Sequence, residues 1–269
     1  MIMLICFFSQ HYRPKCDISK VDSNLSRRYT LDFIPRPPSR FADCDDLFSG
    51  TPLEHFNMSD RYWSLYDEFQ ATVRKHQFKK NISATKNTGR RANKRVMAMH
   101  YIAARSSVRH ICETGFGTGY SAFNFLTSNS EAIVHSFDIG TRAYLRMSKF
   151  IAKYFPGRFF IHFGDSRKTV PQFIKKNPTF FCDIIFVDGG HTYFIASADL
   201  ENCVSISNRS NHDNMIIVDD YPGLWPVNNR IGRAWENLLR RHSVVELMRC
   251  MYSDRNFSRG FVLGTTINK

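Results

Sequence analysis

A chain of 269 residues that is 43% hydrophobic and 14% aromatic can bury one substantial core, and its composition excludes collagen-like and disordered classes. A formal charge of +13 favours a polyanionic partner, a membrane surface or an acidic substrate, and says nothing about fold. Much of it is concentrated: from Phe69 to Cys112 there is no Asp or Glu, while Arg74, Lys75, Lys79, Lys80, Lys86, Arg90, Arg91, Lys94, Arg95, Arg105 and Arg109 are all basic. Such a run reads either as a solvated helix pair or as an anion-contacting face.

The opening Met1 to Phe8 is apolar but has neither a basic leader nor a small-residue cleavage pattern, and it is too short to cross a bilayer. It reads as a buried or frayed terminus rather than a targeting signal. Prolines 14, 35, 37, 38 and 52 interrupt any periodicity, so residues 1–58 form an irregular extension. Residues 59–107 are expected to form a basic helical segment, with one helix from Asp60 to about Phe78 capped by Ser59 and another from Arg91 to about Arg105.

From Val108 to the end, residues 108–269, the pattern becomes short apolar runs alternating with helix-length segments, the mark of strands joined by crossover helices. The runs are Val108 to Glu113, Ala132 to Asp138, Phe159 to Gly164, Cys182 to Asp188 and Asn214 to Asp220. Helices are expected at Tyr120 to Ser128, Arg142 to Tyr154, Lys168 to Lys176, Phe194 to Ser207 and Asn229 to Arg241. Val244 to Tyr252 and Gly260 to Ile267 lack a helix between them and read as a closing antiparallel hairpin. The expected fold class is α/β, a seven-stranded, mostly parallel sheet in a three-layer sandwich, with ligands beyond the carboxyl ends of the strands.

Seven scattered cysteines with no C-x-x-C pair resemble neither a disulfide framework nor a zinc site and fit a reducing, cytoplasmic setting.

The first strand ends in Glu113 and Thr114 and runs into Gly115, Gly117 and Gly119, followed by Tyr120 and Ser121. Glycines there let a ligand approach the backbone and permit positive φ. A dinucleotide site is one reading. Against it, the third glycine comes one residue too early for G-x-G-x-x-G, and an acid precedes the first. A pyrophosphate disfavours that carboxylate; a cationic sulfonium amino acid tolerates it. Asp138, at the end of the second strand, can accept both hydroxyls of a ribose. Gly164, Asp165 and Ser166 follow the third strand and can meet an adenine edge, or Ser166 can simply cap a helix.

Asp188 ends the fourth strand, and Asp219 and Asp220 end the fifth. Three converging carboxylates repel unless a cation or proton is shared, and Mg²⁺ is a reasonable occupant. His191, close to Asp188 and titrating near neutrality, is the general-base candidate for a substrate hydroxyl. It also reads as a histidine bonding a loop backbone. Tyr193 and Tyr221 either line an acceptor pocket or pack on the sheet rim.

The phrases C-E-T-G-F-G-T-G-Y-S-A, H-S-F-D-I-G, F-G-D-S, C-D-I-I-F-V-D-G-G-H-T-Y and I-I-V-D-D-Y, in this order over about Val108 to Tyr221, resemble the class I S-adenosylmethionine-dependent methyltransferases, in particular a catechol O-methyltransferase-like subgroup. The resemblance implies a Rossmann-like domain and transfer of a methyl group to a hydroxyl. It implies that Glu113, Thr114, Gly115, Gly117, Gly119, Tyr120 and Ser121 hold the methionine part of S-adenosylmethionine. Asp138 would hold the ribose, and Gly164, Asp165 and Ser166 the adenine, with Asp188 beside the donor. It places Mg²⁺ on Asp188, Asp219 and Asp220, although an amide is usual where Asp220 stands. The usual lysine base has no counterpart, so His191 with Asp188 would take the catalytic part.

Two other functions fit the fold. A nucleic-acid methyltransferase is suggested by the basic stretch but lacks an Asn/Asp-Pro-Pro-aromatic motif after the fourth strand. A non-catalytic S-adenosylmethionine-binding module is disfavoured by the intact acidic and histidine set. The acceptor and the oligomeric state have no signature in the sequence.

Overall fold

The computed structural model describes residues 59–76, 94–207, 214–221, 230–254 and 257–267. The expected N-terminal extension, the basic residues Lys79, Lys80, Lys86, Arg90 and Arg91, and residues 222–229 lie outside the described residues. Ahead of the sheet come α1 (Asp60–His76) and α2 (Lys94–Ala103). Ser59 caps α1 as expected, its Oγ accepting from Tyr62 N at 3.2 Å. Then strands and helices alternate: β1 (His110–Thr114), α3 (Tyr120–Ser128), β2 (Ile133–Asp138), α4 (Arg142–Tyr154), β3 (Phe159–Phe163), α5 (Ser166–Lys176), β4 (Ile184–Val187), α6 (Tyr193–Ser207), β5 (Met215–Tyr221) and α7 (Arg230–Arg240). The hairpin is β6 (Val244–Asp254) and β7 (Phe257–Thr266).

The seven strands form one sheet in the order β3-β2-β1-β4-β5-β7-β6. Pairings among β1 to β5 are parallel, and β7 runs antiparallel to both β5 and β6. The order reverses between β1, which follows the chain to β2, and β4, which follows it to β5. Loops after adjacent strands therefore diverge there and open a crevice at the carboxyl ends. Strands β1, β4 and β5 are buried almost along their whole length, as a sheet covered on both faces requires.

Alternation sends Ile111 and Glu113 towards α3 and Cys112 and Thr114 towards α6. The core under α5, α6 and α7 contains Cys112, Ile185, Val187, Leu200, Ile216, Val218, Trp235 and Val262. On the other face Phe69 of α1 stacks on Phe123 of α3 with centroids 4.8 Å apart, which ties the segment before the sheet to the sheet's first crossover helix. Gly264 of β7 makes room for Trp235: a methyl group there would meet the indole at 2.5 Å. The indole Nε1 donates to Glu246 Oε2 at 2.8 Å.

Two expectations are corrected. Cys112 and Cys182 are joined as a disulfide, with Cα atoms 5.9 Å apart. Their 70-residue separation hides a pairing created only when the entry to β4 runs beside β1. At the start of α5, Asp165 is the N-cap and accepts from Arg167 N at 3.0 Å, while Ser166 is the first helical residue.

Candidate active site at the strand ends

The loop after β1 is shaped by its glycines. Gly115 has φ +89, and a methyl group on it would sit 1.9 Å from the carbonyl oxygen of Asp188. The loops after β1 and β4 can be this close only without a side chain. Gly117, also at positive φ, faces open space, so its backbone conformation rather than packing calls for a glycine there. Gly119 caps α3 in the left-handed conformation.

Asp138 closes this loop from below. Its Oδ2 accepts from Gly117 N at 2.9 Å and its Oδ1 from Gly140 N at 2.7 Å. Each oxygen keeps a second lone pair, so the carboxylate is fixed and still able to accept. Ile139 beside it is exposed, and Phe163, paired with Asp138 across β2 and β3, packs its ring against Gly140. The Asp165 carboxylate is held by the Arg167 guanidinium, which keeps it below the usual carboxylate range.

Glu113 is fully buried under the loop. Burial pushes its carboxyl up to about 7, against hydrogen bonding from Ser121 and Ser136 that lowers it. Ser136 Oγ donates to Glu113 Oε1 at 2.5 Å. Tyr120 stands edge-on to Phe69, and burial raises its phenol to about 12.

The acidic residues beyond β4 and β5 divide into two groups. In β5, Asp219 and Asp220 face a single residue, Phe261, of β7, between the register pairs Val218–Val262 and Tyr221–Gly260. This bulge, with Asp220 at φ 54, turns successive side chains away from strict alternation. Asp219, buried, pairs with the Arg95 guanidinium of α2. Asp220 Oδ2 lies 3.6 Å from His191 Nδ1. Asp188 stands between: its Oδ2 accepts from Arg95 at 3.1 Å, and with His191 and Asp220 it offers ligand atoms all within 4.8 Å of one another. Burial raises the Asp188 carboxyl, Asp219 raises it further, and Arg95 opposes both.

Nearly every residue singled out in the sequence therefore lies along one line of strand ends. Asp219 departs from its expected companions, being turned to Arg95 rather than to His191. Tyr221 packs on the rim with Arg249 over its ring, and Tyr193 lies under Arg233. Sequence reasoning missed two residues. Arg95 was one of eleven basic residues with nothing to set it apart. Asp199 of α6 is fully buried, with the Ser166 and Thr114 hydroxyls beside its carboxylate but neither in full hydrogen-bond geometry. Its Oδ2 lies 2.5 Å from where a Gly189 methyl group would be, and burial lifts its carboxyl to about 6 despite Ser166 and Thr114 nearby. An acid inside an otherwise apolar helix was the available signal.

Residues 112–221 match the family model described as a methyltransferase domain. A search of curated protein sequences finds no match. Among solved structures, an O-methyltransferase from Bacillus cereus in complex with SAH is 15% identical over 83% of this chain and 96% of its own, with a TM-score of 0.60. The O-methyltransferase TomG from Streptomyces achromogenes in complex with SAM is 14% identical over 82% and 94%, at 0.58. The SAH-bound methyltransferase PaMTH1 of Podospora anserina is 14% identical over 78% and 89%, at 0.56. At such identities the likeness is one of fold. The family match identifies residues 112–221 as a methyltransferase domain.

Proposed function

We propose that this chain transfers the methyl group of S-adenosylmethionine to a hydroxyl of its acceptor, with His191 as the base. The observation that carries this reading is the His191–Asp220 pair beside Asp188, next to the loop whose Gly117 faces open space. The methionine end of the donor lies along Glu113, Thr114, Gly115, Gly117, Gly119, Tyr120 and Ser121. Its ribose hydroxyls donate to Asp138, and its adenine meets Gly164, Asp165 and Ser166.

In the transfer, the acceptor oxygen attacks the methyl carbon in line with the carbon–sulfur bond. That bond breaks, and sulfur keeps the electron pair as a neutral thioether. The hydroxyl proton passes to His191 Nε2, because Nδ1 faces Asp220, whose carboxylate stabilises the imidazolium that forms. The enzyme supplies alignment and deprotonation. The exposure of His191 suits a hydroxyl on a molecule that reaches in from solvent. A nucleic-acid acceptor has only the basic charge in its favour.

Mg²⁺ on Asp188, Asp219 and Asp220, the set implied by resemblance, does not fit the geometry. Asp188 clusters with Asp220 and His191, whereas Asp219 is engaged by Arg95, so the three aspartates do not meet as one set. No step of the mechanism runs through a metal. A broad screen of phenols, sugars and other hydroxyl compounds with labelled donor tests the reaction. Label transfer to a hydroxyl that is lost in His191→Ala supports it; transfer only to nitrogen or to nucleic acid contradicts it.

A further inference from the structure

Three carboxylates at two neighbouring strand ends need positive charge among them. The chain brings its own. Arg95 reaches from α2 to the ends of both β4 and β5: its guanidinium donates to Asp188 Oδ2 at 3.1 Å and pairs with Asp219, and it lies 5.9 Å from the centroid of the Phe186 ring between them. Asp219 is only 1% exposed, so its charge has little access to water. A guanidinium stays protonated at all ordinary pH and has no lone pair to offer an ion. It therefore repels a divalent cation from the oxygens that it holds, and this repulsion is strong where water is excluded. The bulge in β5 completes the division by sending Asp220 to the histidine instead.

We propose that Arg95 is the resident cation of this site: it fills the charge-neutralising place between Asp188 and Asp219 that a divalent ion would otherwise take, and it positions Asp188 beside His191. Methyl transfer by this chain then proceeds without a divalent ion between Asp188 and Asp219, with Arg95 as a positioning residue that fixes the acidic side of the base. The proposal deepens the methyl-transfer reading and rests on it for its meaning in catalysis. The charge pairing stands on the structure alone.

The test is titration of the full chain with Mn²⁺, followed by calorimetry and by the paramagnetic signal of the free ion, on the wild type, Arg95→Lys, Arg95→Met and Arg95→Met/Asp219→Asn. The wild type and Arg95→Lys are expected to bind Mn²⁺ at least tenfold more weakly than Arg95→Met, in which the oxygens are released. Part of the melting temperature lost in Arg95→Met is expected to return in the double variant, because the more deeply buried of the two released carboxylates, Asp219, is then neutral. Wild-type binding as tight as that of Arg95→Met would overturn the proposal, as would a double variant no more stable than the single one. If Arg95→Met does not fold, the recovery in the double variant decides. Titration with S-adenosylmethionine in parallel separates the two readings: absence of donor binding removes the methyl-transfer reading and leaves the Mn²⁺ comparison intact.

Discussion

Two carboxyl groups lie buried on opposite sides of β1: Glu113 under the loop after β1 and Asp199 on α6 against Thr114. Both have folded values above their ordinary ones, about 7 and about 6. An acid raised in this way binds more protons folded than unfolded, so it contributes stability at low pH that is lost as pH rises towards the folded value. For Asp199 the window runs from 3.8 to about 6. Above it the ionised, buried carboxylate costs up to roughly 3 kcal/mol. Asp199→Asn is therefore expected to melt several degrees higher than the wild type at pH 8 and at nearly the same temperature at pH 4; a pH-independent difference would contradict this account. Glu113 has a different use. A cationic donor favours its ionised form, so donor affinity is expected to fall about tenfold between pH 8 and pH 6. Glu113→Gln should bind more weakly at pH 8 and lose that pH dependence, as calorimetry at the two pH values would show. Neither shift could be read from sequence, where Glu113 was read as an acid suited to a cationic donor but not as a buried one, and Asp199 was not noticed. Burial created both.

At the scale of elements, the loops after β1 and β4 are fitted to each other by Gly115, whereas Gly117 is left facing the crevice. Substituting these two glycines should separate folding from binding. Gly117→Ala strains a left-handed residue and is expected to cost about 1 kcal/mol of stability by urea denaturation, yet it should weaken donor binding by far more than that. Gly264→Ala is the complement: its methyl group would press on Trp235 and on the Val245 carbonyl, costing about 1–3 kcal/mol with donor affinity unchanged. Equal effects on binding from the two variants would refute the division. The elements themselves were legible because their periods differ. Tyr120–Ser128 and Arg142–Tyr154 are helices with the bounds expected, and each of the seven strands lies within about two or three residues of its apolar run. The bulge at Asp219 and Asp220 was not legible. It depends on pairing with Phe261, some forty residues on, and it alone sends the two aspartates to different partners.

For the whole molecule, the order of strands and helices was enough to indicate a parallel sheet with a closing hairpin, because few topologies satisfy that order. Its carboxyl edge then gathers Gly115, Asp138, Asp165, Asp188 and Asp220, which are scattered over more than a hundred residues. What the order could not show were contacts across its length. Arg95 meets Asp188 at a separation of 93 residues, and Cys112 meets Cys182 at 70. One consequence is that a residue of the basic stretch belongs to the acidic site, so part of the charge that suggested a polyanionic partner is spent internally. The proposed function needs a donor site for S-adenosylmethionine at the strand ends. It is tested most directly by calorimetric titration of the full chain with S-adenosylmethionine, with NAD as the control and Asp138→Ala as the variant. Saturable binding of the donor that weakens at least tenfold in Asp138→Ala, with no heat from NAD, is the predicted result. Binding of NAD, or donor binding indifferent to the loss of the Asp138 carboxylate, would contradict it.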